Sequence, residues 1–410
     1  MALVSESYIE SSQRNAQLSY AWWAVVARFL VHGLVVSAWV SRIPAIQSSL
    51  NLANGTLGIA LLGAAVGSLT AIPVCGFLVN RFGSSRVATW TSVGFCAALV
   101  LPALAMNAVT LFAALCMLGA MAGANDVAMN AQGVAVENRM GTPTMSRFHA
   151  MFSIGGMAGA ALGGLIASHH ISPLAHLGVG GVLFMSITFA TSRNVLDMRD
   201  HAGKAHGLPL RKIPPVLLAL SFIGFCIFLS EGAMADWTAV YLKQVLDAGP
   251  GLAAAGYAVF SAGMAIFRLA GDAITVRLGQ ARTVRSGALV AAFGLAIALL
   301  VHSPYWALPG FAAAGAGFSV IIPLVFAAGG NVPGISRGAG VATVSGIGYL
   351  GFLFGPPIIG FVSQLSSLRY ALFFVVTLTL IAAALAKSVE LAIKPREIGD
   401  GFAPQPIEPV

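Results

Sequence analysis

Seven ionisable side chains lie inside long apolar stretches of the sequence, where charged groups are rare. They are Arg28, His32, Asp126, Glu231, Asp236, Arg268 and Asp272. A charged side chain at the centre of a membrane helix costs about 2.5–3.5 kcal/mol on insertion scales. Residues of this kind are retained where they bind a proton, an ion or a polar solute, so these seven are the first candidates for chemistry.

Asp126 is the strongest candidate, because it lies well inside its apolar stretch and Asn130 follows one helical turn later on the same face. A buried carboxyl group can take up and release a proton near neutral pH, which a proton-coupled carrier requires. The alternative is a structural carboxylate that Arg28 or another partner neutralises. We predict a proton-coupling role for Asp126, with Asn130 as a substrate ligand beside it.

Two further acids, Glu231 and Asp236, lie in the seventh apolar stretch. Five residues apart on a helix, they point about 140° away from each other, so one shared carboxylate pair is not expected. Glu231 lies deeper and is predicted to be a second proton site or a substrate ligand. Asp236 and Trp237 are predicted nearer the rim as candidate substrate contacts, although Trp237 also suits the interfacial aromatic belt.

The basic residues among these candidates each allow two interpretations. Arg28 either neutralises an acid or a substrate carboxylate, or extends to the lipid head groups. His32, one turn deeper on the same face, is a substrate ligand or a packing residue. Arg268 and Asp272 are four residues apart, which favours an ion pair with a structural or gating role. His149, near the start of the fifth stretch, is predicted to belong to a gate.

The apolar stretches that contain these residues belong to a set of twelve predicted transmembrane helices. The chain is 58% hydrophobic and 9% charged, whereas a soluble domain is roughly 25% charged. Each apolar stretch is long enough to cross a bilayer. The predicted spans are residues 20–41, 55–79, 87–106, 108–135, 146–168, 173–192, 214–242, 251–275, 284–302, 305–329, 337–362 and 367–388.

Positive charge is distributed unevenly between the connections. Of 22 Lys and Arg residues, 17 fall in the even-numbered connections and the two tails, and 3 fall in the odd-numbered connections. Because cytoplasmic loops retain Lys and Arg, both termini are predicted to be cytoplasmic, as is the charged connection 193–213. These residues occur singly or in pairs without stacking aromatics, so the net charge of +8 indicates a membrane surface rather than nucleic acid.

The two halves of the chain repeat at an offset of 196 residues. The matched pairs are Arg81 and Arg277, Gly83 and Gly279, Arg86 and Arg282, Gly119 and Gly315, and Gly155 and Gly351. An even number of helices in each half makes the repeats parallel. The sequence therefore predicts an all-α membrane protein with twelve transmembrane helices in two six-helix bundles, residues 1–192 and 214–410, joined by a loop at 193–213.

Residues 76–86, Gly-Phe-Leu-Val-Asn-Arg-Phe-Gly-Ser-Ser-Arg, resemble the loop signature of the major facilitator superfamily, Gly-x3-Asp-Arg-x-Gly-Arg-Arg. This chain carries Asn80 where that family usually has Asp. Residues 125–130, Asn-Asp-Val-Ala-Met-Asn, resemble the fourth-helix segment of fucose-permease-type sugar:proton symporters. That resemblance would place a second acid in the first helix, where this chain has Val40.

The resemblance implies a secondary transporter of the bacterial inner membrane that moves a sugar or polyol with protons by alternating access. We expect a monomer in the lipid bilayer, with a small-molecule substrate and no cofactor. The loop arginines are expected to cap helix C-termini and to hold the outward-open state. They are Arg81, Arg86, Arg277 and Arg282.

Three alternatives to a symporter make different demands on the sequence. A proton antiporter that exports drugs or metabolites usually carries a Gly-Pro motif in the fifth helix, and residues 146–168 contain no proline. An enzyme would need a catalytic cluster, and the chain lacks His-x-x-Glu-His and P-loop motifs. A channel would need repeated rings of charged or carbonyl groups, whereas single scattered ionisable residues fit a carrier better.

Overall fold

The computed structural model describes residues 2–142, 144–196 and 207–393. Within these ranges twelve helical segments are long and apolar enough to cross a membrane, as predicted. We number them spans 1 to 12. They are Gln17–Ser49, Asn54–Phe82, Ser84–Leu104, Ala108–Met140, Met145–Ser168, Pro173–Asn194, Pro215–Val245, Pro250–Leu278, Gln280–Leu300, Pro304–Gly329, Arg337–Leu365 and Leu368–Ala392. About half of the predicted central loop, at 197–206, and the tail at 394–410 lie outside the described residues.

Spans 1 and 10 are each broken into two helices by a proline. Helix Ala2–Val40 ends, and helix Ile43–Ser49 begins with Pro44 in its first turn. Pro44 lacks the N–H that would bond to the carbonyl of Val40, so the regular hydrogen-bond ladder stops there. Span 10 likewise divides into two helices, separated by Ser319 and Val320, and Pro323 cannot donate to the carbonyl of Ser319. These helices are Pro304–Phe318 and Ile321–Gly329.

Three other spans end in a short additional helical segment. Span 3 joins Ser84–Ala98 to Leu101–Leu104, span 6 joins Pro173–Thr191 to Ser192–Asn194, and span 12 joins Leu368–Leu385 to Lys387–Ile393. A further single turn, Leu210–Lys212, precedes span 7.

Glycines allow the spans within each bundle to approach closely. Span 2 packs along span 4 in the N-terminal bundle, and span 8 packs along span 10 in the C-terminal bundle. A Cβ atom on Gly119 would overlap the carbonyl oxygen of Ala64, and one on Gly315 would overlap that of Phe260. Ala64 and Phe260 are themselves 196 residues apart, so the close contact occurs at the same place in both bundles.

The turn after span 2 and the turn after span 8 have the same backbone conformation. Gly83 has φ 86° and ψ 150°, and Gly279 has φ 80° and ψ 155°. Residues other than glycine rarely adopt this positive φ. Each glycine N–H also donates to the carbonyl four residues earlier, on Val79 and Thr275 respectively. The predicted loop repeat is therefore a structural repeat.

The two bundles meet along two pairs of helices, span 5 with span 8 and span 2 with span 11. We call the side of the molecule that carries the even-numbered connections the basic face, and the other side the opposite face. On span 2, positions Gly55 and Gly58 touch Gln364 and Pro356 of span 11 near the opposite face. Gly76, toward the basic face, has open space where a Cβ would be. We infer that the bundles diverge toward the basic face, and we call the space between them the cleft.

Candidate functional site

Asp126 lies near the middle of span 4 and is partly accessible to solvent. The side-chain amide of Asn130 donates to its Oδ1 at 3.1 Å and to its backbone carbonyl at 2.8 Å. Asp126 also interacts electrostatically with Tyr349 of span 11, in the other bundle. We infer that Asp126 faces the cleft, because it is partly accessible at this depth and interacts with a residue of the other bundle. The arrangement offers both a hydrogen-bond donor and acceptors to a bound solute.

Glu231 is the acid of the C-terminal bundle at comparable depth, halfway along span 7. The residue is partly accessible, but its Oε1 atom is buried without a hydrogen-bond partner. The guanidinium of Arg268 on span 8 interacts electrostatically with Glu231 and with Tyr257. Each bundle thus contributes one acid at mid-depth: Asp126 lies on one side of the cleft and Glu231 on the other.

Asp236 and Trp237 lie further along span 7 and differ in their exposure. Asp236 is partly accessible and, like Glu231, interacts electrostatically with Tyr257 of span 8. It lies five residues beyond Glu231 along span 7, toward the opposite face. Trp237 is fully buried, and its Nε1 atom has no hydrogen-bond partner. The prediction of a belt or ring-stacking tryptophan is wrong for this conformation, because the side chain belongs to the core of the C-terminal bundle.

Arg28 is held inside the N-terminal bundle rather than in the cleft. Its exposed fraction is 2%, and its Nη1 donates to the carbonyl of Ala88 and to the hydroxyl of Ser92, both at 2.7 Å. Its Nη2 donates to the hydroxyl of Thr89 at 3.1 Å. The partners are therefore neutral groups of span 3, and both expectations for Arg28, an acid partner such as Asp126 and extension to the head groups, are wrong for this structure.

A buried polar network continues from Arg28 to His32. The hydroxyl of Ser92 lies 2.5 Å from Oδ1 of Asn125, and Nδ2 of Asn125 lies 2.9 Å from Nδ1 of His32. The His32 ring packs against Phe95 and Phe152. His32 is therefore enclosed within the bundle in this conformation. Asn125 points into the bundle, while the next residue, Asp126, is turned to the cleft.

Arg268 connects the two bundles instead of pairing with Asp272. Its Nη1 donates to Ser153 Oγ at 3.2 Å and to the carbonyl of His149 at 3.4 Å, both on span 5. Its Nε donates at 3.4 Å to the carbonyl of Ser319, which the break in span 10 leaves without a helical donor. Asp272 is exposed near the basic face. The predicted ion pair is wrong, because these acceptors draw Arg268 toward spans 5 and 10.

The loop arginines that were predicted to hold the gate are exposed at the basic face. They are Arg81, Arg86, Arg277 and Arg282. The guanidinium of Arg81 lies over the ring of the adjacent Phe82, 5.6 Å from its centroid. This exposure fits a cleft that is open on the basic side, where a gate between the bundles would be disengaged.

Hydrogen bonds between the bundles are concentrated near the opposite face. The amide of Asn54 donates to Gln244 at 3.1 Å and to Ser363 at 2.8 Å. The ammonium of Lys243 donates to the hydroxyl of Ser48 at 2.8 Å. We call this set, together with Gln47, which accepts a bond from Gln244, the opposite-face latch. It closes the side of the cleft away from the basic face.

Sequence reasoning missed several of these residues. Tyr257 and Tyr349 were overlooked because an isolated tyrosine in an apolar stretch is usually a packing residue. Asn54 and Gln47 sit at helix ends, where polar residues ordinarily serve as caps. In the sequence, both are simply uncharged polar residues near the end of a span. Such residues can either cap a helix or bond to the other bundle, and the sequence does not distinguish the two.

The comparisons with known proteins agree with this geometry. The family model of the Major Facilitator Superfamily matches residues 24–334. An uncharacterized MFS-type transporter of Yersinia pestis is 36% identical over 362 residues, which cover 88% of this chain and 94% of that protein.

Two solved structures share the fold. A mutant form of the nucleoside transporter NupG has a TM-score of 0.71 at 11% identity, covering 92% of this chain and all of that one (100%). A bacterial homolog of the human lysosomal transporter Spinster, in an inward-facing and occupied conformation, has a TM-score of 0.70 at 14% identity, covering 91% and 97%. With twelve spans, two parallel bundles and a cleft between them, this chain belongs to the Major Facilitator Superfamily and is a multi-pass membrane transporter of the secondary type.

Proposed function

We propose that this protein imports a small polar solute together with protons, with a sugar or polyol as the favoured class of substrate. The observation that carries the proposal is the pair of mid-depth acids, Asp126 and Glu231, one on each bundle. Both are partly accessible, and neither forms an ion pair among the described residues. A carboxyl group without a permanent ionic partner is free to exchange its proton during transport.

The surroundings of Asp126 support a hydroxyl-rich substrate. Asp126 and Asn130 present a carboxyl and an amide side by side, and groups of this kind hydrogen-bond to the hydroxyls of a polyol. Across the cleft, Tyr349 stacks on Phe228 with ring centroids 5.1 Å apart. Phe352 packs against the same ring. Aromatic faces of this kind suit the apolar C–H surface of a sugar ring.

The proposal extends to orientation. The basic face would be cytoplasmic, in agreement with the retention of Lys and Arg on that side of bacterial inner membranes. The open cleft would then face the cytoplasm, and the opposite-face latch would close the periplasmic side. His149 would form part of the cytoplasmic gate, and Asp236 and His32 would reach the substrate in other states of the transport cycle.

The test is transport by the purified protein in proteoliposomes with an imposed pH gradient. A panel of labelled sugars, polyols and nucleosides is first screened by thermal shift, because a ligand that binds only the folded state raises apparent stability. We expect saturable accumulation of a sugar or polyol when the outside is acidic, and collapse of that accumulation by a protonophore. Expulsion of solute in exchange for protons would instead identify the antiporter alternative, and uptake independent of the gradient would refute proton coupling.

A further inference from the structure

Arg268 has an unusual set of partners for a guanidinium inside a membrane bundle. Its three hydrogen bonds, to Ser153, His149 and Ser319, are 3.2–3.4 Å long and all go to neutral oxygens. Bonds between a charged donor and a carboxylate are ordinarily about 2.7–2.9 Å long. Arg268 is therefore weakly held, and a stronger acceptor within reach would compete for it.

Glu231 of the neighbouring span 7 is the candidate for such an acceptor. Glu231 interacts electrostatically with Arg268, yet its Oε1 atom is buried without a hydrogen-bond partner. An ionised carboxylate buried without a partner is strongly unfavourable, whereas the protonated acid tolerates this position far better. The observed arrangement, with Arg268 turned to span 5 and Oε1 of Glu231 without a hydrogen-bond partner, therefore suits the neutral acid better than the carboxylate.

We propose that Arg268 is a positioning residue that couples the charge of Glu231 to the contact between the two bundles. While Glu231 is neutral, Arg268 stays on His149 and Ser153 of span 5. Once Glu231 has released its proton, the carboxylate draws the guanidinium back into the C-terminal bundle, and the contact with span 5 is lost. This inference rests on the proposed function, in which Glu231 is a proton site.

The contact that Arg268 makes is well placed to affect the opening of the cleft. Spans 5 and 8 form one of the two interfaces between the bundles. Nearer the opposite face they are in glycine-mediated contact, where a Cβ on Gly164 would lie 2.8 Å from the carbonyl of Gly251. Arg268 binds in the half of the interface toward the basic face. Releasing it therefore frees that half while the glycine contact remains as a pivot.

Other titratable groups within the spans also respond to pH and have to be distinguished from Glu231. They are Tyr257 of span 8, Tyr349 of span 11, His149 of span 5, His32 of span 1 and Asp236 of span 7 itself. Tyr257 interacts electrostatically with both acids of span 7, and His149 interacts with Arg268 and His32. The experiment must therefore show that the pH response passes through Glu231 rather than through one of these groups.

The experiment measures the distance between spans 5 and 8 at the basic face as a function of pH. Spin labels are placed on Ser146→Cys and Val276→Cys, both exposed positions, in full-length protein whose four natural cysteines are replaced. In nanodiscs without substrate, we expect the ratio of the longer to the shorter distance population to rise about tenfold between acidic and alkaline pH. Glu231→Gln, which keeps the size and stays neutral, should hold the acidic distribution at every pH.

Two further variants separate coupling from simple structural support. Arg268→Gln should abolish the pH dependence although Glu231 is intact. Ser153→Ala removes one acceptor but no charge, and should reduce the amplitude while keeping the midpoint. A wild-type pH response that persists in Glu231→Gln or in Arg268→Gln would overturn the proposal. If either variant folds poorly, Glu231→Asp, which keeps the charge, must restore a pH response, and its failure to do so would also overturn the proposal.

The outcome is distinguishable from failure of the proposed function. If no sugar or polyol is accumulated but the distance response follows Glu231 and Arg268, the coupling stands and the substrate class is wrong. If proton-driven accumulation is found and the distance is insensitive to both variants, the proposed function stands and the role of Arg268 is wrong.

Discussion

The N-terminal and C-terminal bundles share a backbone scaffold but differ in the polar groups that they enclose. The contact of Gly119 with Ala64 is reproduced by Gly315 with Phe260, at the same offset of 196 residues. The contact between spans 5 and 1 repeats with a shift of one residue, because Gly155 meets the carbonyl of Leu30 and Gly351 meets that of Phe225. Glycines thus fix the helix packing in both halves.

The chemistry does not repeat. At the same offset, Ser92 and Asn125 of the N-terminal network correspond to Ala288 and Ile321, and Asp126 corresponds to Ile322. In the other direction, Arg268 and Tyr257 correspond to Ile72 and Leu61. The comparison teaches that close helix packing requires the same small residues in both bundles. The polar residues, by contrast, occur in only one bundle at each pair of equivalent positions. The cleft is therefore asymmetric, with an acid bonded to an amide on one wall and, on the other, an acid and an arginine that are not hydrogen-bonded to each other.

The largest expected effect comes from removing the acid of the N-terminal wall. Asp126→Asn keeps the size and removes the charge, so it should abolish uphill, proton-driven accumulation while exchange of substrate continues at least in part. Uptake and exchange in proteoliposomes measure the two activities separately. Asp247→Asn is the matched control, because Asp247 is exposed and has a φ of 50°, a conformation that asparagine also adopts readily.

A purely structural Asp126 would give a different pattern, with lower expression and stability while the surviving protein still concentrates substrate. Normal accumulation by well-folded Asp126→Asn protein would assign proton coupling to the other wall of the cleft, with Glu231 as the leading candidate.

The shared scaffold predicts equal damage at equivalent positions. Gly119→Ala and Gly315→Ala each force a methyl group against a backbone carbonyl, which cannot move away cheaply, so each should lower the free energy of unfolding by about 1–3 kcal/mol. Gly76→Ala is the control, because a Cβ there has no neighbour within 4 Å. Unfolding of the purified protein in detergent is the measurement. A large difference between Gly119→Ala and Gly315→Ala would show that the two bundles do not share one scaffold.

The sequence was sufficient for the scaffold and insufficient for the partners. Apolar length predicted twelve spans, and glycine spacing predicted the repeat, because both features depend on local composition and on a fixed offset. The breaks at Pro44 and Pro323 were not predicted, although a proline inside a helix is a known cause of a break. Prolines within spans 2 and 11, such as Pro73, leave those helices continuous, so the outcome depends on neighbouring spans that sequence alone does not supply.

The site residues show the same limit. Asp126 and Asn130 share a face because they are four residues apart, and this local relation was predicted correctly. Arg268 and Asp272 have the same spacing, but acceptors on spans 5 and 10 draw Arg268 away from Asp272. A side chain chooses between a local and a distant partner by their relative geometry, and only the folded structure provides that information.

The polar network found in one bundle should contribute modestly to stability. Ser92→Ala gives the N-terminal bundle the residue that its counterpart already has at Ala288. It removes one acceptor of Arg28 and one partner of Asn125, so we expect a loss of about 0.5–1.5 kcal/mol in the free energy of unfolding. Ser286→Ala, at an exposed hydroxyl that bonds within its own helix, is the control. An unchanged stability in Ser92→Ala would mean that Arg28 is held by its other two partners alone.

The smallest effect is expected at the opposite-face latch. Three basic residues lie in the odd-numbered connections on this side of the molecule, and they are Arg42, Lys243 and Arg369. Two of them act within one bundle: Arg42 donates to His176 at 2.9 Å, and Arg369 interacts electrostatically with Tyr241. Lys243 alone reaches across, to Ser48 of the other bundle. Each bundle therefore has its own arginine near the opposite face, and the contact between the bundles depends on a lysine and a few amides.

Because the Lys243 bond is solvent-accessible, Lys243→Ala should weaken the latch by only about 0.2–1 kcal/mol. This corresponds to a shift of at most about fivefold toward the state that is open on the opposite face. Spin labels that report the separation of spans 1 and 7 at that face would detect the shift, and no change would indicate that the bonds of Asn54 are sufficient to close the latch.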